Sequence, residues 1–160
     1  MEIYLLRHGI AEDRSPSGSD AARRLTDEGR QKLRRVLERA AGAKVRPSLI
    51  LTSPLVRAVQ TAEMAAEILR YTGALLQTEA LVPEASPQDV WNELRSRKDE
   101  DAILLAGHEP LFSAATAYLL ACPTLQFEFK KGALARIDAE RLSGEPRGIL
   151  QWVLTPKLAW

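Results

Sequence analysis

Four side chains in this sequence have the types and spacing for chemistry: Arg7, His8, Arg57 and His108. The chain holds only two histidines, and each closes an apolar run. Ile3 to Leu6 leads into Arg7, His8 and Gly9, while Ala102 to Gly107 leads into His108, Glu109 and Pro110. One histidine at a strand end is more often a hydrogen-bonded structural residue than a nucleophile. Two such histidines, brought to one sheet edge, change that reading. Arg57 falls in the opening turn of a predicted helix, where a cation opposes the positive end of the helix dipole by about 0.3–1 kcal/mol. An anion bound at that helix end would account for it. Two guanidinium forks and two imidazoles describe a phosphoryl site, because a guanidinium matches two phosphate oxygens at once. A carboxylate fits the same donors less well.

The elements that must carry these residues follow from pattern. Ile3 to Leu6, Leu49 to Leu51 and Ala102 to Ala106 are short, continuous apolar runs, the mark of strands buried on both faces. Thr26 is an N-cap for a helix in which Leu33, Val36, Leu37, Ala40 and Ala41 recur at helical spacing, closed by Gly42. Its remaining face is strongly basic, with Arg30, Lys32, Arg34, Arg35 and Arg39, and reads as a solvated face or, less strongly, a protein-docking surface. Ser53 as N-cap and Pro54 at the first helical position open a second helix that runs past Ala65 to Gly73. A weak strand near Leu76 to Thr78, a helix from about Gln88 to Arg97 and another from Pro110 to about Leu120 follow. Leu134 to Ile137 and Leu150 to Leu154 can pair across a turn at Ser143 to Gly148. The polar stretch Glu12 to Arg24, with Pro16 and Gly18 among serines, reads as a mobile loop able to lie over Arg7 and His8. The expected fold class is α/β: a three-layer sandwich with a mostly parallel central sheet, helices on both faces and antiparallel edge pairing near the C-terminus. Its ligand site belongs at the carboxyl ends of the strands.

Bulk properties narrow the function. A chain of 160 residues suits a single domain spanning 1–160. With 22 basic and 21 acidic residues the net charge is +1, so no global field selects nucleic acid or an anionic membrane. Cys122 is the only cysteine, which removes an internal disulfide and any cysteine-rich metal site. No apolar run reaches bilayer-spanning length and no signal peptide is evident, so a cytoplasmic setting is expected. Other phosphatase chemistries find no support. Cys122 lacks the downstream arginine of a cysteine-nucleophile loop, the acids Asp99 to Asp101 precede a strand where they would have to follow one, and no Walker-type glycine loop occurs. Two histidines without a matched carboxylate motif are poor ground for a metal site.

Four stretches in order, L-L-R-H-G at Leu5–Gly9, L-T-D-E-G-R at Leu25–Arg30, T-S-P-L-V-R-A-V-Q-T-A at Thr52–Ala62 and A-G-H-E-P at Ala106–Pro110, resemble the signatures of the histidine phosphatase (phosphoglycerate mutase-like) superfamily. The short length and the L-V-P-E-A-S-P segment at Leu81–Pro87 are most similar to its SixA-type phosphohistidine phosphatases. The resemblance implies that His8 attacks phosphorus to form a phosphohistidine enzyme. Arg7, Arg57, His108 and the Gly9 backbone would hold the phosphoryl group, with no cofactor and no metal. It also implies a phosphohistidine-bearing protein of the phosphotransfer or phosphorelay type as substrate and partner, and inorganic phosphate as product. Glu84 is the one candidate general acid in its segment, though an exposed loop residue is the better reading of it. A small-molecule phosphomonoesterase and a phosphoryl-binding module without turnover are the alternatives.

Overall fold

The computed structural model describes residues 1–159; Trp160, the last position of the expected 1–160 domain, lies outside the described residues. In chain order the elements are β1 (Glu2–Arg7), α1 (Asp27–Gly42), β2 (Leu49–Thr52), α2 (Val56–Ile68), β3 (Leu75–Gln77), α3 (Pro87–Arg95), β4 (Ala102–Gly107), α4 (Leu111–Leu119), β5 (Leu134–Asp138) and β6 (Ile149–Leu154). They form a six-stranded sheet ordered β3-β2-β4-β1-β5-β6. The first four strands in that order run parallel, and β5 and β6 join antiparallel at the β1 edge, as the sequence led us to expect.

The central strands are apolar along their buried middles, Ile3–Leu6, Leu49–Leu51 and Ala102–Ala106, because helices cover both faces. Ile3 and Leu5 of β1 point into one core with Val90, Trp91 and Leu94 of α3 and Phe112, Ala115 and Leu119 of α4. Tyr4 and Leu6 point into the other, with Leu33, Val36 and Leu37 of α1 and Ala62 and Ala65 of α2. The small residues of α2 let that helix lie close on the sheet. Each fully buried leucine contributes about 1.5–3 kcal/mol, so the central strands are held from two sides, while the edge strands β3 and β6 stay partly exposed. Among the described residues, no helix is long and apolar enough to cross a membrane.

Helix ends follow their caps, with two differences from the sequence reading. Thr26 caps α1, its hydroxyl accepting the Gly29 N–H at 3.0 Å, and Ser86 with Asp89 forms a reciprocal capping box on α3. Ser53, however, does not cap α2: the cap position is Leu55, two residues later, and Pro54 lies outside the helix. The Ser53 hydroxyl is drawn to another partner, described below. Nor does Gly73 end α2. The helix stops at Ile68, and Arg70 takes the left-handed conformation (φ 58°), which returns the Tyr71 N–H to the Ala66 carbonyl at 2.8 Å.

Register places chemistry along one line. Thr52, Ala106, Leu6, Leu134 and Leu154 are successive partners across the sheet. The residues just beyond that row, namely Ser53, Gly107 with His108, and Arg7 with His8, therefore emerge together. Because β5 and β6 are antiparallel, the start of β5 and the end of β6 reach the same edge.

Candidate active site

His8 leaves β1 with its N–H donated to the Gly107 carbonyl at 3.0 Å, so the backbone of β4 sets where its ring begins. The residue is only 6 % exposed. Its Nδ1–H donates to the Gly9 carbonyl at 2.7 Å, which fixes the proton on Nδ1 and leaves Nε2 with a free lone pair. Burial pushes the His8 pKa down to about 3 from 6.5, against the Gly9 carbonyl, which pulls it up; Arg57 and Arg7 push it further down. The imidazole is therefore neutral near pH 7, the state a nucleophile needs.

His108 leaves β4 so that the two imidazole centroids lie 5.0 Å apart. Its Nε2 is 2.8 Å from the Ser53 hydroxyl. That hydroxyl also accepts the Leu55 N–H at 3.3 Å and has its own proton to give to His108 Nε2, the tautomer in which the ring proton sits on Nδ1 and is available to an incoming anion. Burial pushes this pKa down to about 3 as well, with His8, Arg57 and Arg7 adding to the effect.

Arg7 and Arg57 stand on either side. One Arg7 terminal nitrogen donates to the Phe129 carbonyl at 2.6 Å. Both terminal nitrogens of Arg57 reach Asp20, one its carbonyl at 3.0 Å and the other its carboxylate at 3.3 Å. Burial lowers both guanidinium pKa values; Glu109 and Glu128 offset this at Arg7, and Asp20 and Glu84 at Arg57. Four buried nitrogens have no hydrogen-bond partner among the described residues: Arg23 Nε, which lies 3.0 Å from the Asp20 carboxylate as an ion pair, and Arg7 Nε, Arg57 Nε and His108 Nδ1, which have no such neighbour. An unsatisfied buried donor costs about 1–3 kcal/mol. Three at one sheet edge, around a neutral imidazole, form a cradle for an oxygen-rich anion.

The sheet edge thus gathers the four residues singled out from the sequence. The Gly9 N–H donates to the Thr61 hydroxyl at 3.3 Å and its carbonyl accepts from His8 Nδ1, so its backbone positions the nucleophile. Thr61 in turn donates to the Arg57 carbonyl at 2.7 Å, tying α2 to the end of β1. Glu84 is exposed, on the loop between the 3-10 turn Glu79–Leu81 and α3, close enough for its charge to be felt at Arg57. The segment expected to be a mobile loop is pinned: Glu12 and Arg24 exchange backbone and side-chain hydrogen bonds, and the 3-10 turn Asp20–Ala22 sits on Arg57. Sequence reasoning missed Asp20, Thr61 and the role of Ser53. Only Ser53 carried a signal, a polar residue directly after a buried strand. Among the described residues no group of three or more His, Cys, Asp or Glu side chains is placed to hold a metal ion.

Comparison with known proteins places this geometry. A family model described as Histidine phosphatase superfamily (branch 1) matches residues 3–81. An uncharacterized protein of Picosynechococcus sp. is 36 % identical over 114 residues, covering 69 % of this chain and 67 % of that protein. The phosphohistidine phosphatase SixA of Escherichia coli is 26 % identical over 162 residues, covering 98 % and 94 %. The solved structure of the protein histidine phosphatase SixA complexed with tungstate superimposes with a TM-score of 0.86 at 26 % identity, covering 98 % of each chain.

Proposed function

We propose that this chain, which belongs to the histidine phosphatase superfamily, removes phosphate from phosphohistidine on a protein through a covalent phosphohistidine formed on His8. Its phosphatase activity follows from the family and the SixA-like fold. The observation that carries the mechanism is the set of three unpartnered donors around a neutral imidazole whose Nδ1 is already committed.

In the first step the His8 Nε2 lone pair attacks phosphorus and the bond to the leaving group breaks, its electron pair departing with that group. Arg7, Arg57 and His108 donate to the non-bridging oxygens, and those bonds strengthen as charge gathers there. In the second step water attacks the phosphoryl group on His8, the P–N bond breaks, and inorganic phosphate leaves with the imidazole restored. No metal is required.

Two features favour phosphohistidine as the substrate. Departure of an alkoxide needs a general acid, worth about 10²–10⁴ in rate, whereas a phosphohistidine ring protonated on its other nitrogen expels a neutral imidazole, whose conjugate acid has a pKa of about 6.5, without one. The one candidate acid, Glu84, is solvent-exposed. The E. coli relative, similar over nearly its full length, is named for phosphohistidine.

The test compares kcat/KM for a phosphohistidine protein, free phosphohistidine, and sugar and glycerate phosphates, with and without EDTA. The phosphohistidine protein is expected to lead, and Glu84→Gln to slow esters alone. A metabolite preferred over every phosphohistidine substrate, with activity lost in Glu84→Gln, would assign the site to small-molecule esters.

A further inference from the structure

Beside the phosphoryl site runs a groove of about 840 Å³, and Arg7 belongs to both. Its walls come from three distant parts of the chain that the sheet brings to one edge. Leu6, Leu134 and Leu154 are partners across the sheet, so the turn before β5 and the turn after β6 must lie beside the end of β1. Gly132, at φ 75° where a side chain would be strained, donates its N–H to the Arg7 and His8 carbonyls at 3.1 and 3.0 Å. The Lys130–Lys131 turn is thereby tied to the backbone of the nucleophile itself. The third wall is α1, held close because Gly29 lies directly against the Ile10 carbonyl, where any Cβ would collide.

Of nine lining residues six are cations: Arg7, Lys32, Arg35, Lys130, Lys131 and Lys157. None is acidic. Lys32 and Lys130 are partly compensated, by Glu28 at 2.9 Å and Glu128 at 2.6 Å. Among the described residues Arg35, Lys131 and Lys157 have no acidic partner. The whole chain carries a net charge of only +1, so this concentration leaves the remaining surface net acidic. Such polarity orients an approaching charged partner. Ile10 and Pro156 supply an apolar component, which a purely phosphate-binding surface has no use for.

We infer that this groove docks an acidic, partly apolar surface flanking the phosphorylated residue of the partner protein, making it the element that selects substrate. The inference rests on the phosphatase reading above and adds the chemistry of the partner. Because the groove ends at Arg7, its occupant is continuous with the group being cleaved. A protein segment provides that continuity, with carboxylates for the cations and side chains for Ile10 and Pro156.

The test uses phosphohistidine peptides of equal length flanked by glutamates, glutamines or lysines, with free phosphohistidine as the control that cannot reach the groove. Wild-type enzyme at about 50 mM salt is expected to favour the glutamate peptide over the lysine peptide by about tenfold or more in kcat/KM, and the preference to collapse near 0.5 M. Arg35→Glu with Lys157→Glu, both at exposed positions, should cut the glutamate-over-lysine preference by about threefold or more while free phosphohistidine changes by less than about twofold. Equal rates for all flanks, or a preference undiminished in the variant, would overturn the inference. So would a small bisphosphate that is turned over and loses as much as the glutamate peptide in the variant. Cleavage of esters alone, with no phosphohistidine substrate accepted, would instead refute the phosphatase reading on which it rests.

Discussion

Both terminal nitrogens of Arg57 are held by Asp20, a residue 37 positions earlier, through its carbonyl at 3.0 Å and its carboxylate at 3.3 Å. A buried guanidinium in the first turn of α2 thus faces an acid on an exposed turn, and an arriving phosphoryl group must share Arg57 with that carboxylate.

Asp20→Asn keeps the carbonyl contact and removes one negative charge beside the incoming anion. Competitive inhibition by phosphate or vanadate should tighten by about three- to tenfold. Weaker inhibition in the variant would show that the carboxylate serves to position Arg57.

Ser53→Ala should reduce kcat/KM by about tenfold, since His108 Nε2 would be left buried and unpaired and its tautomer no longer set. In a His108→Ala background the same change should have little further effect. Additive losses in that cycle would place Ser53 outside the His108 contact.

Arg57→Ala should lower kcat/KM by about two to three orders of magnitude, and Arg57→Lys should restore little, because a point charge lacks the planar fork. Near-complete rescue by lysine would mean that charge alone matters.

Acid should destabilise the protein through both histidines. Burial holds His8 and His108 near pKa 3, below the ordinary 6.5. The unfolded chain therefore takes up protons first as pH falls through about 6.5, and the stability present above that pH is lost progressively toward about 3. His8→Asn should flatten the decline in unfolding free energy measured across that interval. An identical decline in the variant would contradict the assignment of a neutral, depressed His8.

Much of the site was readable because each of its four residues borders an apolar run or a helix start, and strands of that kind end at a common edge. The fold class was readable for the same reason: buried strands alternating with amphipathic helices leave few arrangements. The rest depends on contacts between segments that carry no mutual pattern. Ser53 looked like a helix cap because Ser-Pro after a strand commonly is one, yet His108, 55 positions later, holds its hydroxyl. Nothing in the sequence pairs the Gly9 N–H with Thr61, 52 positions later. Lys32 and Arg35 read as a solvated helix face or, less strongly, a protein-docking surface, and only the sheet register shows that Lys130, Lys131 and Lys157 complete a groove around them.

The central claim, that His8 carries the phosphoryl group, is tested most directly by rapid acid-free quenching during turnover of a phosphohistidine substrate, followed by mass spectrometry. Wild-type enzyme should carry one acid-labile phosphate on the peptide containing His8, and His8→Ala should carry none while keeping its folded spectrum and losing turnover. Near-normal turnover in His8→Ala, or a phosphate found on another residue, would contradict the mechanism.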